Sequence, residues 1–234
     1  MHLRILRMAI FAGLLIILVS CKAYLFKRNM IDPQVETRQT LQDFLSRHSF
    51  NTSNQFVMDA DSTKKNWTLF DAMSSNGSLI FDKDGKPLCY QGESHCDGVI
   101  LGQLFEGKLD SFSLCKDEPD LDVLLNSLNV LQTAKKMTLE DFKGTDFFIV
   151  EYWQKFRGRK LGYKTGSDWT DRQIARHQRF RFTHININSD FLDEWGFVAG
   201  DRVKINMRKK NGGFSSDQDM LVQPRLRSDS SSTQ

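Results

Sequence analysis

Two apolar segments in the second half of the chain constrain its fold more than any other feature. Residues 147–153 read Phe-Phe-Ile-Val-Glu-Tyr-Trp, a run of β-forming side chains that is typical of a central strand. Residues 182–188 alternate apolar and polar side chains, as a strand does when only one face is buried. Residues 167–179 between them are predicted to form a helix. The order strand, helix, strand predicts a βαβ crossover with parallel strands.

That helix has a predicted start of its own. Thr170 and Gln173 have the spacing of a capping box, and Asp168 and Asp171 would lie in the first turn. His184 falls on the second strand, beside Ile185, so we predict that it lies on a strand face and not in a reactive site.

An Asp-Gly pair at residues 84–85 gives the clearest turn signal. Short apolar runs at residues 78–81 and 87–90 flank it, and glycine supplies the positive φ that tight hairpin turns need. The segment also resembles the start of a calcium loop, from Asp82 to Glu93, but the residues between are apolar or basic. We therefore predict a β-hairpin.

Weaker patterns predict the remaining elements. A leucine repeat over residues 121–131 predicts the strongest amphipathic helix of the chain. A helix is also predicted from Pro33 to His48, a loop over residues 51–65, a strand over 111–115, a short turn or helix over 138–142 and a strand around Val203 and Ile205, while residues 99–105 are apolar but ambiguous.

Composition indicates one water-soluble folded domain. Of 234 residues, 40% are hydrophobic and 26% are charged, which excludes general disorder and a multispan membrane protein. The net charge of +3 includes two arginines near the N-terminus, so it indicates no particular class of partner.

The N-terminus has the layout of a cleaved export signal. Arg4 and Arg7 precede an apolar run over residues 8–19, and residues 18–21 read Leu-Val-Ser-Cys. This tetrapeptide resembles the lipobox of bacterial lipoproteins. The resemblance implies a signal peptide over residues 1–20, a lipid on Cys21 and a location in the bacterial cell envelope, facing the periplasm or the exterior.

Two other interpretations of the leader stay open. An uncleaved signal anchor could extend over residues 8–25, although Lys22 would then lie inside the span at a cost of about 3 kcal/mol. An ordinary secretory signal would place Leu18 where the cleavage site prefers a small residue. With cleavage before Cys21, we expect a tether over residues 21–32, a mixed α/β domain over 33–208 with its βαβ unit at 147–188, and a disordered tail over 209–234.

The region from residue 138 to 188 resembles the central part of a thioredoxin-like domain. Redox-active members of that family carry a CxxC motif after the first strand, where this chain has residues 154–159 without a cysteine. The resemblance implies a thioredoxin-like fold without dithiol chemistry at that position, as in lipid-anchored envelope proteins of bacteroidetes. We expect no cofactor.

Three cysteines remain in the mature chain. In an oxidising compartment at most one pair of Cys89, Cys96 and Cys115 can bridge. Cys89 and Cys96 are the nearest pair and the candidate disulfide, and three buried free thiols are the other interpretation that stays open. A nucleophilic site is also conceivable, with His95 assisting Cys96 or Cys89. Glu93 and Asp97 complete this group, but no second pair of ligands supports a metal site, so we predict no metal.

A basic segment supplies the candidate binding surface. Aromatic residues interleave with its cations, which suits an anionic lipid or glycan, or an envelope protein, while nucleic acid is not expected at this location. The alternative is an ordinary solvated face. The candidate anion-binding residues are Lys155, Arg157, Arg159, Lys160, Arg172 and Arg176.

The sequence thus predicts a lipid-anchored envelope protein that acts as a non-catalytic binding or accessory module. The alternative is a thiol-dependent envelope enzyme that uses Cys96 or Cys89 with His95.

Overall fold

The computed structural model describes residues 33–59, 77–116, 118–156 and 162–205, together with the short pairs 209–210, 213–214 and 221–222. The predicted signal peptide, the predicted lipid site Cys21 and the predicted tether lie outside these residues. So do three members of the predicted basic surface, namely Arg157, Arg159 and Lys160.

The described residues form a seven-stranded mixed sheet with four α-helices. The strands lie in the order β4-β3-β2-β6-β7-β1-β5. Their bounds are β1 Gln55–Met58, β2 Leu79–Asp82, β3 Pro87–Tyr90, β4 Phe112–Leu114, β5 Leu128–Val130, β6 Phe147–Trp153 and β7 Phe182–Asn188. The helices are α1 Arg38–Arg47, α2 Asp97–Phe105, α3 Leu121–Asn126 and α4 Gly162–Arg176, with 3-10 turns at Leu109–Ser111, Leu139–Phe142 and Asp193–Trp195. The predicted mixed α/β single domain is confirmed.

The predicted βαβ unit is confirmed. Strands β6 and β7 are parallel over their whole length, from Phe147 opposite Phe182 to Trp153 opposite Asn188, and α4 connects them. The helix begins at Gly162, five residues before the predicted start. The predicted capping box is therefore wrong, because Thr170 lies in the middle of α4.

The predicted hairpin is also confirmed. β2 and β3 pair antiparallel, and Gly85 in the turn between them has a φ of +72°. The carboxylate of Asp82 accepts backbone N–H groups from Asp84 at 2.9 Å and Lys86 at 2.8 Å. The turn thus uses the carboxylate that a calcium loop would need for its cation.

Side chains that alternate along β6 enter two different hydrophobic clusters. Phe148 and Val150 pack in a cluster with the buried leucines of α3. Phe147 and Ile149, on the opposite face, pack in a cluster with Leu101 and Leu104 of α2. A strand with apolar side chains on both faces belongs in the centre of a covered sheet, which explains the continuous apolar run in the sequence.

The predicted helix over residues 121–131 is wrong beyond Asn126. Residues 128–130 form β5, which pairs antiparallel with β1 through Met58 opposite Leu128 and Phe56 opposite Val130. The predicted loop over residues 51–65 is wrong at Gln55–Met58, which form β1 between β7 and β5, while residues 60–65 lie outside the described residues. A short strand in a polar stretch carries little local signal, and its partners are distant in sequence.

The first described segment is extended and not helical. Thr37 is the N-cap of α1, with a reciprocal contact to Thr40. Ahead of it, Gln34 bridges to Arg202 and Glu36 to Leu192, so residues 33–36 lie between two parts of the C-terminal region. The predicted strand near residue 205 is present as β8, Lys204–Ile205, which pairs with β11, Leu221–Val222. This pair and a second one, β9 Lys209–Lys210 with β10 Gly213–Phe214, extend into the segment predicted to be disordered.

Candidate functional site

A group of charged side chains, buried at His184 and partly exposed at Asp171, lies between α4 and the sheet. His184 on β7 is 6% exposed. Its Nδ1 lies 2.8 Å from Oδ1 of Asp171 on α4, and its Nε2 lies 3.2 Å from Oε2 of Glu151 on β6. The second contact is an ion pair without hydrogen-bond alignment. We call these three residues the charged triad.

Strand register and helix position bring the triad together. Ile149 lies opposite His184 across the parallel ladder, so Glu151, two residues further on, points to the same face. Asp171 reaches that face from the middle of α4. The sequence elements that form the βαβ unit therefore also form this group.

Three further polar side chains contact the two carboxylates of the triad. The Thr170 hydroxyl donates to Oε1 of Glu151 at 2.7 Å, and the Ser78 hydroxyl approaches the same oxygen at 3.4 Å. The side-chain amide of Asn51 donates to Oδ2 of Asp171 at 3.1 Å. Both carboxylates thus have partners besides the imidazole, as buried charges require.

The triad changes the titration of its members. Burial lowers the pKa of His184, but the hydrogen bond to Asp171 and the negative charges of Glu151 and Asp171 outweigh burial and raise it to about 9. Burial raises the pKa values of Glu151 and Asp171, and His184 outweighs burial and lowers both. At neutral pH the site is therefore an imidazolium held between two carboxylates.

This arrangement limits the chemistry of His184. Each ring nitrogen faces a carboxylate, so neither offers a free lone pair for proton abstraction or metal binding. Glu151 and Asp171 contact different nitrogens of the ring and do not converge on one point. Within the described residues, no three His, Cys, Asp or Glu side chains are grouped to hold a metal ion.

A second buried polar group lies where β6 and β7 end. The Nζ of Lys155 lies 2.5 Å from Oε2 of Glu36, which also accepts the Thr40 hydroxyl at 2.5 Å. The backbone N–H of Lys155 donates to Oδ2 of Asp190 at 2.6 Å, and Asn188 donates to the same oxygen at 2.8 Å. Burial raises the pKa of Asp190 to about 6.

The prediction that Lys155 belongs to an anion-binding surface is therefore wrong. Its side chain is 16% exposed and its ammonium is neutralised by Glu36. A cation in that state contributes little to anion binding. Arg172 and Arg176, by contrast, are exposed one turn apart on α4, and side chains four residues apart share a helix face.

The cysteines differ from the prediction as well. Cys89 forms its disulfide with Cys115, and Cys96 is a free, exposed cysteine, so neither the Cys89–Cys96 pair nor three free thiols is correct. Cys89 lies on β3 and Cys115 directly follows the neighbouring antiparallel strand β4, which places their Cα atoms 5.2 Å apart. Cys96 is the N-cap of α2, on the far side of a loop.

The group around Cys96 is open to solvent. Glu93 and His95 are exposed beside it. Asp97 forms the first turn of α2, accepts the backbone N–H of Ser78, and has a pKa that burial raises. The four side chains named from the sequence thus do not share a buried pocket.

His184 lies on a strand, as the sequence predicts, but its partners Asp171 and Glu151 were not predicted. One signal was present: Glu151 interrupts an otherwise apolar strand, and a carboxylate in a central strand requires a compensating group. The identity of that group depends on which strand lies next to β6, and spacing alone does not reveal this.

Comparisons with known proteins add no assignment: no family model, curated protein or solved structure matches this chain. The thioredoxin-like resemblance stays a prediction. No helix in the described ranges is both long enough and apolar enough to cross a membrane.

Proposed function

We propose that this chain is a lipid-anchored protein of the bacterial cell envelope whose folded domain is a non-catalytic binding or accessory module. The Cys89–Cys115 disulfide carries this proposal. Disulfides persist in oxidising compartments and are rare in the cytosol. The bridge therefore supports export, and the leader with Cys21 supplies both the export signal and the lipid site.

The chemistry of the described residues supports a non-catalytic role. In the charged triad, both nitrogens of His184 face carboxylates. Cys89, one candidate nucleophile, is bridged. The thiol-enzyme alternative then depends on Cys96, at the N-cap of α2, with His95. Both side chains are exposed, and among the described contacts no hydrogen bond joins the imidazole to the thiol, as a base and its nucleophile require.

Among the described members of the predicted basic surface, two arginines are available for a partner and Lys155 is not. We define the arginine pair as Arg172 and Arg176, which are exposed on one face of α4. Guanidinium groups bind phosphate and carboxylate in a bidentate manner. An anionic lipid or glycan is the partner that the pair fits, and a binding protein with an acidic patch would use the same contacts.

Metabolic labelling with a fatty-acid probe tests the anchor. We expect the full chain, expressed in a bacterium that processes lipoproteins, to incorporate the probe and to sediment with membranes. Cys21→Ala should abolish both, while Cys96→Ala should change neither. Labelling that survives Cys21→Ala, or a wild-type chain in the soluble fraction, would contradict the proposal.

Charge reversal tests the partner surface. The double variant Arg172→Glu/Arg176→Glu should weaken binding to phosphatidylglycerol vesicles or to an acidic glycan by at least about tenfold at low salt, since each cation near an anionic surface contributes about 1 kcal/mol. Arg47→Glu, an exposed arginine at the end of α1, is the matched control. Equal binding by both variants would exclude the arginine pair.

A thiol assay separates the two classes of function. We expect no turnover of disulfide or thioester substrates that depends on Cys96. Turnover that Cys96→Ser removes and His95→Gln reduces would favour the thiol enzyme.

A further inference from the structure

A cavity of about 250 Å³ lies beside the Cys89–Cys115 bridge. Both half-cystines line it, and Phe81, Pro87 and Pro119 supply apolar walls. Glu118 is the one charged side chain among the described lining residues. Since a water molecule occupies about 30 Å³ in the liquid, the cavity admits a molecule with the volume of about eight waters.

We propose that this cavity binds small thiols, which reach the Cys89–Cys115 bridge through it and exchange with it. The proposal goes beyond the accessory role and does not depend on the lipid anchor. Thiol–disulfide exchange needs access to a sulfur atom, and neither half-cystine is fully buried.

The exchange is a balanced two-electron reaction. The thiolate of the small thiol attacks Sγ of one half-cystine, and the electron pair of the S–S bond leaves with the other sulfur, which then takes up a proton. A second small thiol attacks the mixed disulfide and releases the small molecule as its own disulfide. Two thiols are oxidised and the bridge is reduced to Cys89 and Cys115 thiols.

The position of Glu118 sets the class of thiol. Its carboxylate repels thiols that carry a second negative charge and attracts those that carry an ammonium group. The cavity is therefore suited to small cationic or neutral thiols and not to anionic ones.

The surrounding contacts allow the bridge to open without separation of its strands. The backbone N–H of Cys115 donates to the carbonyl of Pro87 at 2.9 Å, and that of Gln91 to Ser111 at 2.8 Å. The N–H of Leu121 donates to Gly85 at 2.8 Å, and Lys86 pairs with Asp120 at 2.6 Å. These contacts keep the two sulfur atoms close, so the reaction is reversible.

The test measures reduction of the bridge in the full folded chain carrying Cys96→Ser. The probes are cysteamine, 2-mercaptoethanol and 3-mercaptopropionate, with alkylation and mass analysis of the quenched protein. Each rate constant is taken per thiolate and divided by that of the same thiol with 2-hydroxyethyl disulfide, which removes differences in intrinsic nucleophilicity. We expect cysteamine to react at least about fivefold faster than 3-mercaptopropionate, with 2-mercaptoethanol between them. Glu118→Gln should reduce this ratio to less than about twofold, whereas Glu93→Gln, an exposed glutamate outside the cavity lining, should preserve it.

Two results would overturn the proposal. A reduction rate that does not depend on thiol concentration would mean that the bridge opens only after unfolding. The same ratio in the parent and in Glu118→Gln would mean that the thiols do not approach through the cavity.

Discussion

At the scale of single residues, His184 shows how a fold sets the charge of a buried group. The imidazolium is 6% exposed, yet two carboxylates and the side chains around them make the charged form the stable one. The sequence predicted that His184 lies on a strand, and this is confirmed. Its pairing with Glu151 and Asp171 could not be predicted, because it depends on strand order and on the rotation of α4.

The charged triad makes stability depend on pH. The pKa of His184 is raised to about 9 in the folded chain, against 6.5 when unperturbed. A raised pKa adds stability that is complete below the unfolded value and is lost as the pH rises through the folded value. We therefore expect the free energy of unfolding to fall by about 3 kcal/mol between pH 6.5 and 9, measured by urea denaturation.

Substitution of His184 tests whether this residue causes the pH dependence of the free energy of unfolding. His184→Gln should be less stable at pH 7 and should lose the decrease between pH 6.5 and 9, because glutamine does not titrate. His95→Gln, an exposed histidine, should keep the decrease. A wild-type stability that is flat over this range would contradict the assignment of the triad as charged.

Asp190 gives a second and separate pH window. Burial raises its pKa to about 6 from 3.8, so the folded chain holds this proton more tightly than the unfolded chain. Its contribution to stability should therefore decrease as the pH rises from about 4 to 6. Asp190→Asn should remove this decrease in urea denaturation while leaving the window between pH 6.5 and 9 in place.

At the scale of elements, the boundary between α3 and β5 shows what local periodicity cannot decide. The leucines of residues 121–131 match helical spacing, yet Leu128 is buried as part of a strand paired with β1. Hydrophobic spacing reports which residues are buried and not what buries them. The βαβ unit was predictable because its two strands are long and its helix lies between them in sequence.

Two alanine substitutions, one at a buried residue and one at an exposed residue, test the burial in this region. Leu128 is 1% exposed and Val123, on α3, is 47% exposed. Leu128→Ala should reduce the free energy of unfolding by about 2–5 kcal/mol through the lost contacts and the cavity left behind, and Val123→Ala by less than about 0.5 kcal/mol. Equal effects in urea denaturation would contradict the assignment of β5.

The Glu36–Lys155 pair joins the extended segment 33–36 to the end of β6. Lys155→Met should reduce the free energy of unfolding by about 3–5 kcal/mol, because it leaves the Glu36 carboxylate buried without a cation. Adding Glu36→Gln should recover much of this loss. Lys108→Met, which breaks the exposed Lys108–Glu106 pair, should have little effect on the free energy of unfolding. The decisive observation is that the double variant is more stable than Lys155→Met alone. A double variant that is less stable than Lys155→Met would contradict the pairing.

At the scale of the whole molecule, one sheet brings together segments from most of the described chain. β1 precedes β7 by more than a hundred residues and lies beside it, and the disulfide fastens the opposite edge between β3 and β4. The sequence predicted the fold class and the hairpin, but not β1, the bridge or the strand order, since these depend on contacts between distant segments. The bridge and the predicted lipid on Cys21 both fit the proposed location in the cell envelope.

The most direct test is the intact mass of the protein purified from bacterial membranes, before and after alkylation of its thiols. The proposal predicts a chain that begins at Cys21 and carries the added mass of a lipid, with one alkylated thiol, Cys96, in the unreduced protein and three after reduction. A chain that retains Met1, or an unreduced protein with free Cys89 and Cys115, would contradict it.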